Sequence, residues 1–422
     1  MTNFVLVIAD DMRYDHRGGM SNVMGSSFVN AYNSNPVCIP SRTSILSGLR
    51  SQHTRIYGND MGFAEFDDSS TIAARLQAEG YTCGHFGKYV NDYNDENAAY
   101  TPPGWDRWWA ITAEGDEYYN YSVSDNGVLR TYGSNPEDYL TDVIARRTED
   151  FIADAPEPFF AYVTPTAPHE KAVVADRHVG ALQNLPYDPP SLNVSGVDQP
   201  EWIRRLKPLD DETMQGLKEF RLKQRTSLLA VDDLLRTVRR ALQSRDVLRD
   251  TVIIFMSDNG MMYGEHKLTG KAVPYLESTH MPLYVWGSEF WNWTPNKSAL
   301  VQTIDVLPTF LDLADVHPDD RGGVDGLSLR SVLTGGPSRK DIYIEHGSKG
   351  QVPPWVQVTE KAWTYAWYGN GTEELYKISA DPYQLTNLAN DKDNRGRKNA
   401  MRERAKEYMA QGEPPTGMEL LP

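Results

Sequence analysis

Short, almost unbroken apolar runs recur along the chain, and stretches with helical spacing of apolar residues lie between them. The runs are FVLVIA (4–9), YTCGHFG (81–87), PFFAYVTP (158–165), TVIIFMSD (251–258) and PLYVWG (282–287). The amphipathic stretches include TIAARLQAEG (71–80), YLTDVIARRTEDFIA (139–153) and a long segment over 212–246. In that last segment Leu228, Leu229, Val231, Leu234, Leu235, Val238 and Leu242 keep close to a helical period. Apolar strands alternating with helices predict an α/β fold, with a mixed, mostly parallel sheet between helices. Ligands of such sheets bind beyond the C-terminal strand ends.

The rhythm breaks in three places. Residues 92–136, rich in Asn, Asp, Tyr and Gly, read as a long surface insertion. Residues 176–211, which include LPYDPPSLNVSGVDQPEW, read as an extended excursion without a period. After SVLTGG (331–336) the runs DIYIEH, WVQVTE, KAWTYAWYG and EELYKIS predict short antiparallel strands, and a polar helix follows near 394–411. The expected division is a main α/β domain over 1–330 and a small C-terminal antiparallel-sheet subdomain over 331–422.

Charge and composition narrow the function. A formal charge of −16 over 422 residues argues against nucleic acid and anionic membranes as partners. It leaves room for an anionic small substrate, because a bound cation inverts the local field. No window approaches the roughly 20 apolar residues of a membrane span. The opening MTNFVLVIADDM reads as a buried strand and not a signal peptide, so the chain as given is expected in the cytoplasm, or in the periplasm or outside the cell if a leader has been trimmed. Two cysteines, Cys38 and Cys83, offer neither a disulfide framework nor a zinc site.

Chemistry concentrates where the apolar runs stop. FVLVIA runs into Asp10-Asp11, and TVIIFMS runs into Asp258-Asn259-Gly260. Three carboxylates and an amide form an all-oxygen donor set suited to Ca²⁺ or Mg²⁺. Turn capping would place the same residues at the same strand ends, and the residues alone weigh the two readings about evenly. In CIPSR (38–42), a thiol stands just ahead of a helix expected to open in SRTSILSG and run to Gly48, beside a permanent guanidinium charge. Cys83 reads as a buried filler, His85 as structural and Lys267 as a solvated charge.

Cys38-Ile39-Pro40-Ser41-Arg42, with Thr43 and LSG following, resembles the signature of the type I sulfatases of the alkaline phosphatase superfamily. In that family the cysteine is oxidised after synthesis to Cα-formylglycine by a formylglycine-generating enzyme, which would be a transient partner. The resemblance implies an alkaline phosphatase-like fold and metal ligation, by Ca²⁺ or else Mg²⁺, through Asp10, Asp11, Cys38, Asp258 and Asn259. It also implies catalytic roles for Cys38, Arg42, Lys88 of FGKY, His169 of APHE and Lys271 of LTGK. Arg42, Lys88 and Lys271 would hold sulfate oxygens and the hydrated aldehyde, and His169 would protonate the leaving alcohol.

Several segments refine the likeness. GKYVNDY and PPSLNVSGVDQPEWIRRL resemble the glucosamine-6-sulfatase and heparan endosulfatase branch, while SGLRSQHTRIYGN resembles iduronate-2-sulfatase-like members. Val90 stands where many sulfatases carry a histidine, with Asn91 next to it as a substitute. His280 stands where an arginine is common. Asn91, His266, His53 and His280 are therefore the substrate-side candidates. The implied substrate is a sulfate ester of a small molecule or oligosaccharide, most readily a sugar. A phosphonate monoester or phosphodiester hydrolase, and a sulfoglycan-binding protein without catalysis, are the rival readings.

Overall fold

The computed structural model describes residues 1–113, 118–183, 185–287, 295–317 and 322–418. Its centre is a mixed nine-stranded sheet. In chain order the strands are β1 (Asn3–Ala9), β2 (Ser26–Ser27), β3 (Thr82–Gly87), β4 (Arg107–Ala113), β5 (Ser122–Asp125), β6 (Val128–Thr131), β7 (Phe159–Thr164), β8 (Thr251–Ser257) and β9 (Leu283–Gly287). Across the sheet the order is β2-β9-β8-β1-β7-β3-β4-β5-β6. The run β8-β1-β7-β3-β4 is parallel throughout, and antiparallel strands close both edges.

β1 shows why its sequence is apolar without alternation. Phe4, Leu6 and Ile8 point into one core, with Ile39, Ile45 and Leu46 of helix α1 (Cys38–Ser47) and with a later helix over Val306–Leu313. Val5, Val7 and Ala9 point into the other core, against helices α2 (Leu140–Asp154) and α3 (Asp211–Ser244). Both faces of a central parallel strand are covered, so every position is buried.

Residues 92–136 are not a surface insertion. They supply β4, β5 and β6, which extend the main sheet. Trp108 is buried in one core and Trp109, Tyr121 and Val123 in the other. Asn, Asp and Gly residues surround these strands in the sequence, so polar composition hid their apolar positions. The excursion over 176–211 is irregular as expected, apart from single helical turns such as Glu201–Arg204.

The C-terminal sheet is antiparallel, in the order β10 (Ile342–His346), β11 (Trp355–Thr359), β12 (Thr364–Tyr368), β13 (Glu373–Tyr376). The polar helix α4 (Arg395–Met409) packs on it through Met401, Ala405, Tyr408 and Met409. Among the described residues no helix is long and apolar enough to cross a membrane.

Candidate active site

Four neighbouring parallel strands deliver their following residues to one edge of the sheet. β1 is followed by Asp10 and Asp11, β8 by Asp258 and Asn259, β3 by Lys88, and β7 leads within a few residues to His169. Two adjacent carboxylates would diverge if the strand continued. Instead Asp11 takes a left-handed conformation (φ 64°), and both carboxylates turn the same way. Gly87, at the end of β3, has φ 124°, and a Cβ there would lie 2.2 Å from the Thr164 carbonyl oxygen. Only glycine lets β3 close on β7 tightly enough to present Lys88.

Cys38 opens α1, which ends at Gly48 in the left-handed region (φ 70°). The thiol is 1 % exposed. Its Sγ lies 2.8 Å from Lys271 Nζ, 3.5 Å from Asp10 Oδ1 and 3.9 Å from Asp11 Oδ1. Carboxylate oxygens of Asp10, Asp11 and Asp258 come within 4.8 Å of one another. Asn259 Nδ2 donates to Asp11 Oδ1 at 2.7 Å, and the Asp11 backbone N–H donates to Asp258 Oδ1 at 3.0 Å.

Cations surround these acids. Lys88 Nζ donates to Asp10 Oδ2 at 2.7 Å, and Lys271 Nζ is hydrogen-bonded to Asp11 Oδ1. Arg42 is wholly buried and works from beneath the site. Its Nε donates to Asp258 Oδ2 at 2.9 Å, its Nη1 to the Lys88 carbonyl at 2.9 Å, and its Nη2 lies 3.6 Å from Asp10 Oδ2. His169 Nε2 stands 3.8 Å from Asp11 Oδ2.

The electrostatics follow from this packing. Burial would raise Asp10, but Lys88 and Arg42 outweigh it and hold the carboxyl well below its usual range. Burial would raise Asp11 too, and Lys271 overturns that. Asp258 goes the other way, up to about 6, through burial and then the field of Asp10. Burial opposes the charge on His169, yet Asp10 carries its pKa up to about 10. Lys271 is likewise held charged by Asp11 and Cys38 against its own desolvation. So many buried charges persist only because each has an opposite partner.

Beside the cluster lies a cavity of about 270 Å³, lined by Lys88, Asn91, Asp92, Asn94, Thr112 and His169 among others. Asn91 thus lines the same cavity as Lys88 and His169. The other substrate-side candidates are not gathered with them. His266 is fully buried, stacked on Tyr275 (4.2 Å) and hydrogen-bonded to Gln199 (2.8 Å), and burial pushes its pKa down to about 4. His280 is stacked between Tyr14 and Tyr32 and is also pushed down to about 4 by burial. His53 bridges Asp325 (2.7 Å) and the Gln411 carbonyl (2.8 Å). Lys267 is not a solvated charge. It is buried and donates to the Leu206 carbonyl at 2.6 Å, because the preceding loop folds over it. Cys83 and His85 are both buried, and His85 is ringed by Tyr89, Trp105, Trp108 and Tyr162.

The C-terminal strands are predicted by the sequence pattern, but their hold on a site loop has no signal there. The loop that carries Lys271 is held by the C-terminal sheet. Trp355 Nε1 donates to the Ala272 carbonyl at 3.1 Å, and Gln357 Nε2 to the Pro274 carbonyl at 3.2 Å. Gln384 Oε1 accepts from the Leu276 N–H at 2.8 Å. Buried Glu374 accepts from the hydroxyls of Tyr275 (2.8 Å), Tyr376 (2.6 Å) and Tyr368 (2.5 Å). A buried Glu flanked by tyrosines at β-strand spacing is a cue present in EELY and TYAWY, but its partner Tyr275 lies far off in sequence.

Comparison with known proteins gives the class. The Sulfatase family profile matches residues 2–316, and the profile described as N-sulphoglucosamine sulphohydrolase, C-terminal, matches 264–411. The chain belongs to the sulfatase family and is a sulfuric ester hydrolase; the family generally depends on formylglycine and a metal ion. The N-acetylglucosamine-6-sulfatase of Capra hircus is 31 % identical over 92 % of this chain and 80 % of its own. The solved structure of BT4656 with its substrate D-glucosamine-2-N,6-O-disulfate matches with TM-score 0.83 at 21 % identity, over 97 % of this chain and 98 % of that one. The phosphonate monoester hydrolase of Agrobacterium radiobacter matches with TM-score 0.76 at 20 % identity, over 97 % and 96 %.

Proposed function

We propose that this enzyme removes a sulfate ester from a sulfated saccharide, with Cys38 as the precursor of a Cα-formylglycine. The observation that carries the reading is the Cys38 position itself: a buried thiol at a helix start, flanked by Lys271 and by the Asp10–Asp11 pair. The saccharide follows from the N-acetylglucosamine-6-sulfatase relative and from the polar cavity beside Lys88 and His169.

The donor set fits a hard divalent cation. Asp10, Asp11 and Asp258 converge, and Asn259 adds an amide, with Ca²⁺ the preferred occupant. Such an ion would supply Lewis-acid activation of the hydroxyl that attacks sulfur. The side chains do the rest. Lys88 and Lys271 border the place where sulfate oxygens gather charge, and each is positioned by a carboxylate. Arg42, wholly buried, neutralises Asp10 and Asp258 and fixes the Lys88 backbone. His169, on the cavity wall, donates a proton to the leaving alcohol. Asn91 lies on the same wall and holds the saccharide there.

Mass spectrometry of the Cys38 peptide from the native host tests the nucleophile. A peptide lighter than the thiol form by the mass of a thiol-to-aldehyde conversion is expected, and a fully intact thiol in active enzyme overturns the reading. The phosphonate monoester hydrolase likeness supports a second reading, since its fold matches over almost the whole chain. Comparison of kcat/KM on sugar sulfates and on aryl phosphonate monoesters separates the two, and preference for the phosphonate favours the second.

A further inference from the structure

The C-terminal sheet does more than brace Lys271. Its β10–β11 hairpin is wedged between the segment leading into Cys38 and the Lys271 loop. On one side, the Glu345 N–H donates to the Ser34 carbonyl (3.2 Å), the Gly347 N–H donates to the Tyr57 carbonyl (3.3 Å), and His346 Nδ1 pairs with Asn35 Oδ1 (2.9 Å). On the other, Trp355 is tied to Ala272, the residue after Lys271. Between these anchors the chain makes a tight turn in which Lys349 and Val352 exchange backbone hydrogen bonds of 3.0 and 2.9 Å.

Lys349 is the cation this turn presents. It is exposed, and among the described residues it forms no ion pair, although the protein as a whole is strongly acidic. It nevertheless sits in the field of the reaction centre. Desolvation and then the Lys271 ammonium oppose its charge and hold its pKa below the usual lysine value, while Cys38 and Asp11 favour the charge. Below it, His346 is buried, and its Nε2 has no partner. Lys349 thus lies on a turn anchored on one side to the segment that leads into Cys38 and on the other to the residue after Lys271, and it is committed to no carboxylate among the described residues. It suits an anion arriving with the substrate.

We infer that Lys349 is a specificity-determining residue, whose ammonium receives a second anionic group on the saccharide that presents its sulfate ester at Cys38. The inference rests on the saccharide reading given above. The second anion is a sulfate or a carboxylate, for which the chemistry at Lys349 is the same.

Kinetics of wild type, Lys349→Met and Lys349→Arg test it on three saccharides. N-Acetylglucosamine 6-sulfate carries one anion; glucosamine 2-N,6-O-disulfate adds a sulfate; a uronyl N-acetylglucosamine 6-sulfate disaccharide adds a carboxylate. Lys349→Met is expected to raise KM about fivefold for one or both doubly charged substrates, with kcat within about twofold and the singly charged substrate unaffected. The responding substrate identifies the anion, and Lys349→Arg keeps the preference. An equal change on all three, or none on any, overturns the inference. If 4-nitrophenyl sulfate is cleaved but no saccharide is, the saccharide reading fails separately. Inhibition constants of the same saccharides against the aryl ester then decide: weaker inhibition of Lys349→Met by the doubly charged ones alone supports the role, and any other pattern overturns it.

Discussion

Asp10, Asp11 and Asp258 are the residues on which most depends, because each is a buried charge that its neighbours have made tolerable. Asp258→Ala and Cys38→Ala are both expected to abolish turnover on any sulfate ester while leaving the circular dichroism spectrum unchanged. Loss of the spectrum would mean the cluster also holds the fold. For His169→Ala, the rate loss should be greater on alkyl sulfates than on 4-nitrophenyl sulfate, whose leaving group needs no proton. Equal losses refute the general-acid role. These residues were legible in the sequence because each follows an apolar strand or sits in a dense motif. Histidines away from such motifs were not, since His53, His266 and His280 look the same in sequence whether they meet a sugar or a tyrosine. His280 carries a further prediction. Burial lowers its pKa to about 4, below the ordinary 6.5, so the unfolded chain takes up the proton first. Its neutral form contributes stability above pH 6.5, and that contribution is lost as pH falls toward 4, on the order of 3 kcal/mol. His280→Phe should therefore flatten the fall in urea midpoint between those pH values; an unchanged slope sinks the assignment.

Among the elements, the parallel strands were read from their uniform apolarity and α1 from its stop at Gly48, although α1 begins already at Cys38, ahead of the SRTSILSG expected to open it. β4, β5 and β6 were not, because the Asn, Asp and Gly around and between them outweigh the buried positions of β4 and the four-residue strands β5 and β6 in local composition. The hold of β11 on the Lys271 loop was also illegible, since it pairs side chains with backbone carbonyls 83 residues away. That hold has a measurable consequence. Gln357→Met removes the hydrogen bond to the Pro274 carbonyl without changing bulk much, and should cost about 1 kcal/mol of stability. Displacement of Lys271 by a fraction of an ångström should lower kcat about tenfold, with KM nearly constant. A drop in stability with kcat untouched would show that β11 is only a brace.

For the whole molecule, the class and architecture could be read from the order of strands, helices and motifs, whereas the way the C-terminal sheet closes over the site needed three dimensions. The unit boundary we favour, between residues 330 and 331, falls ahead of β10. Because the sheet beyond it is bound to the Lys271 loop and to residues 34 and 35, the fragment 1–330 should lack activity even if it stays folded. Filling the acidic cluster should stabilise the entire fold. Calcium added to chelator-treated protein at about one hundred times its Kd contributes about 2.7 kcal/mol, and should raise Tm by roughly 3 °C. No shift with calcium or magnesium would argue against the proposed ligand set.

The burial of Cys38 also sets a timetable. The ammonium that lies against its sulfur belongs to a residue 233 positions later in the chain. At ribosomal speeds of about 5–20 residues per second, the thiol emerges on the order of 10–50 s before Lys271 does. During that interval the cysteine is an accessible segment of nascent chain; afterwards it is 1 % exposed at the floor of a closed cluster. If Cys38 is converted as proposed, the thiol is accessible until the chain has folded and the C-terminal sheet has closed on the Lys271 loop, and buried afterwards.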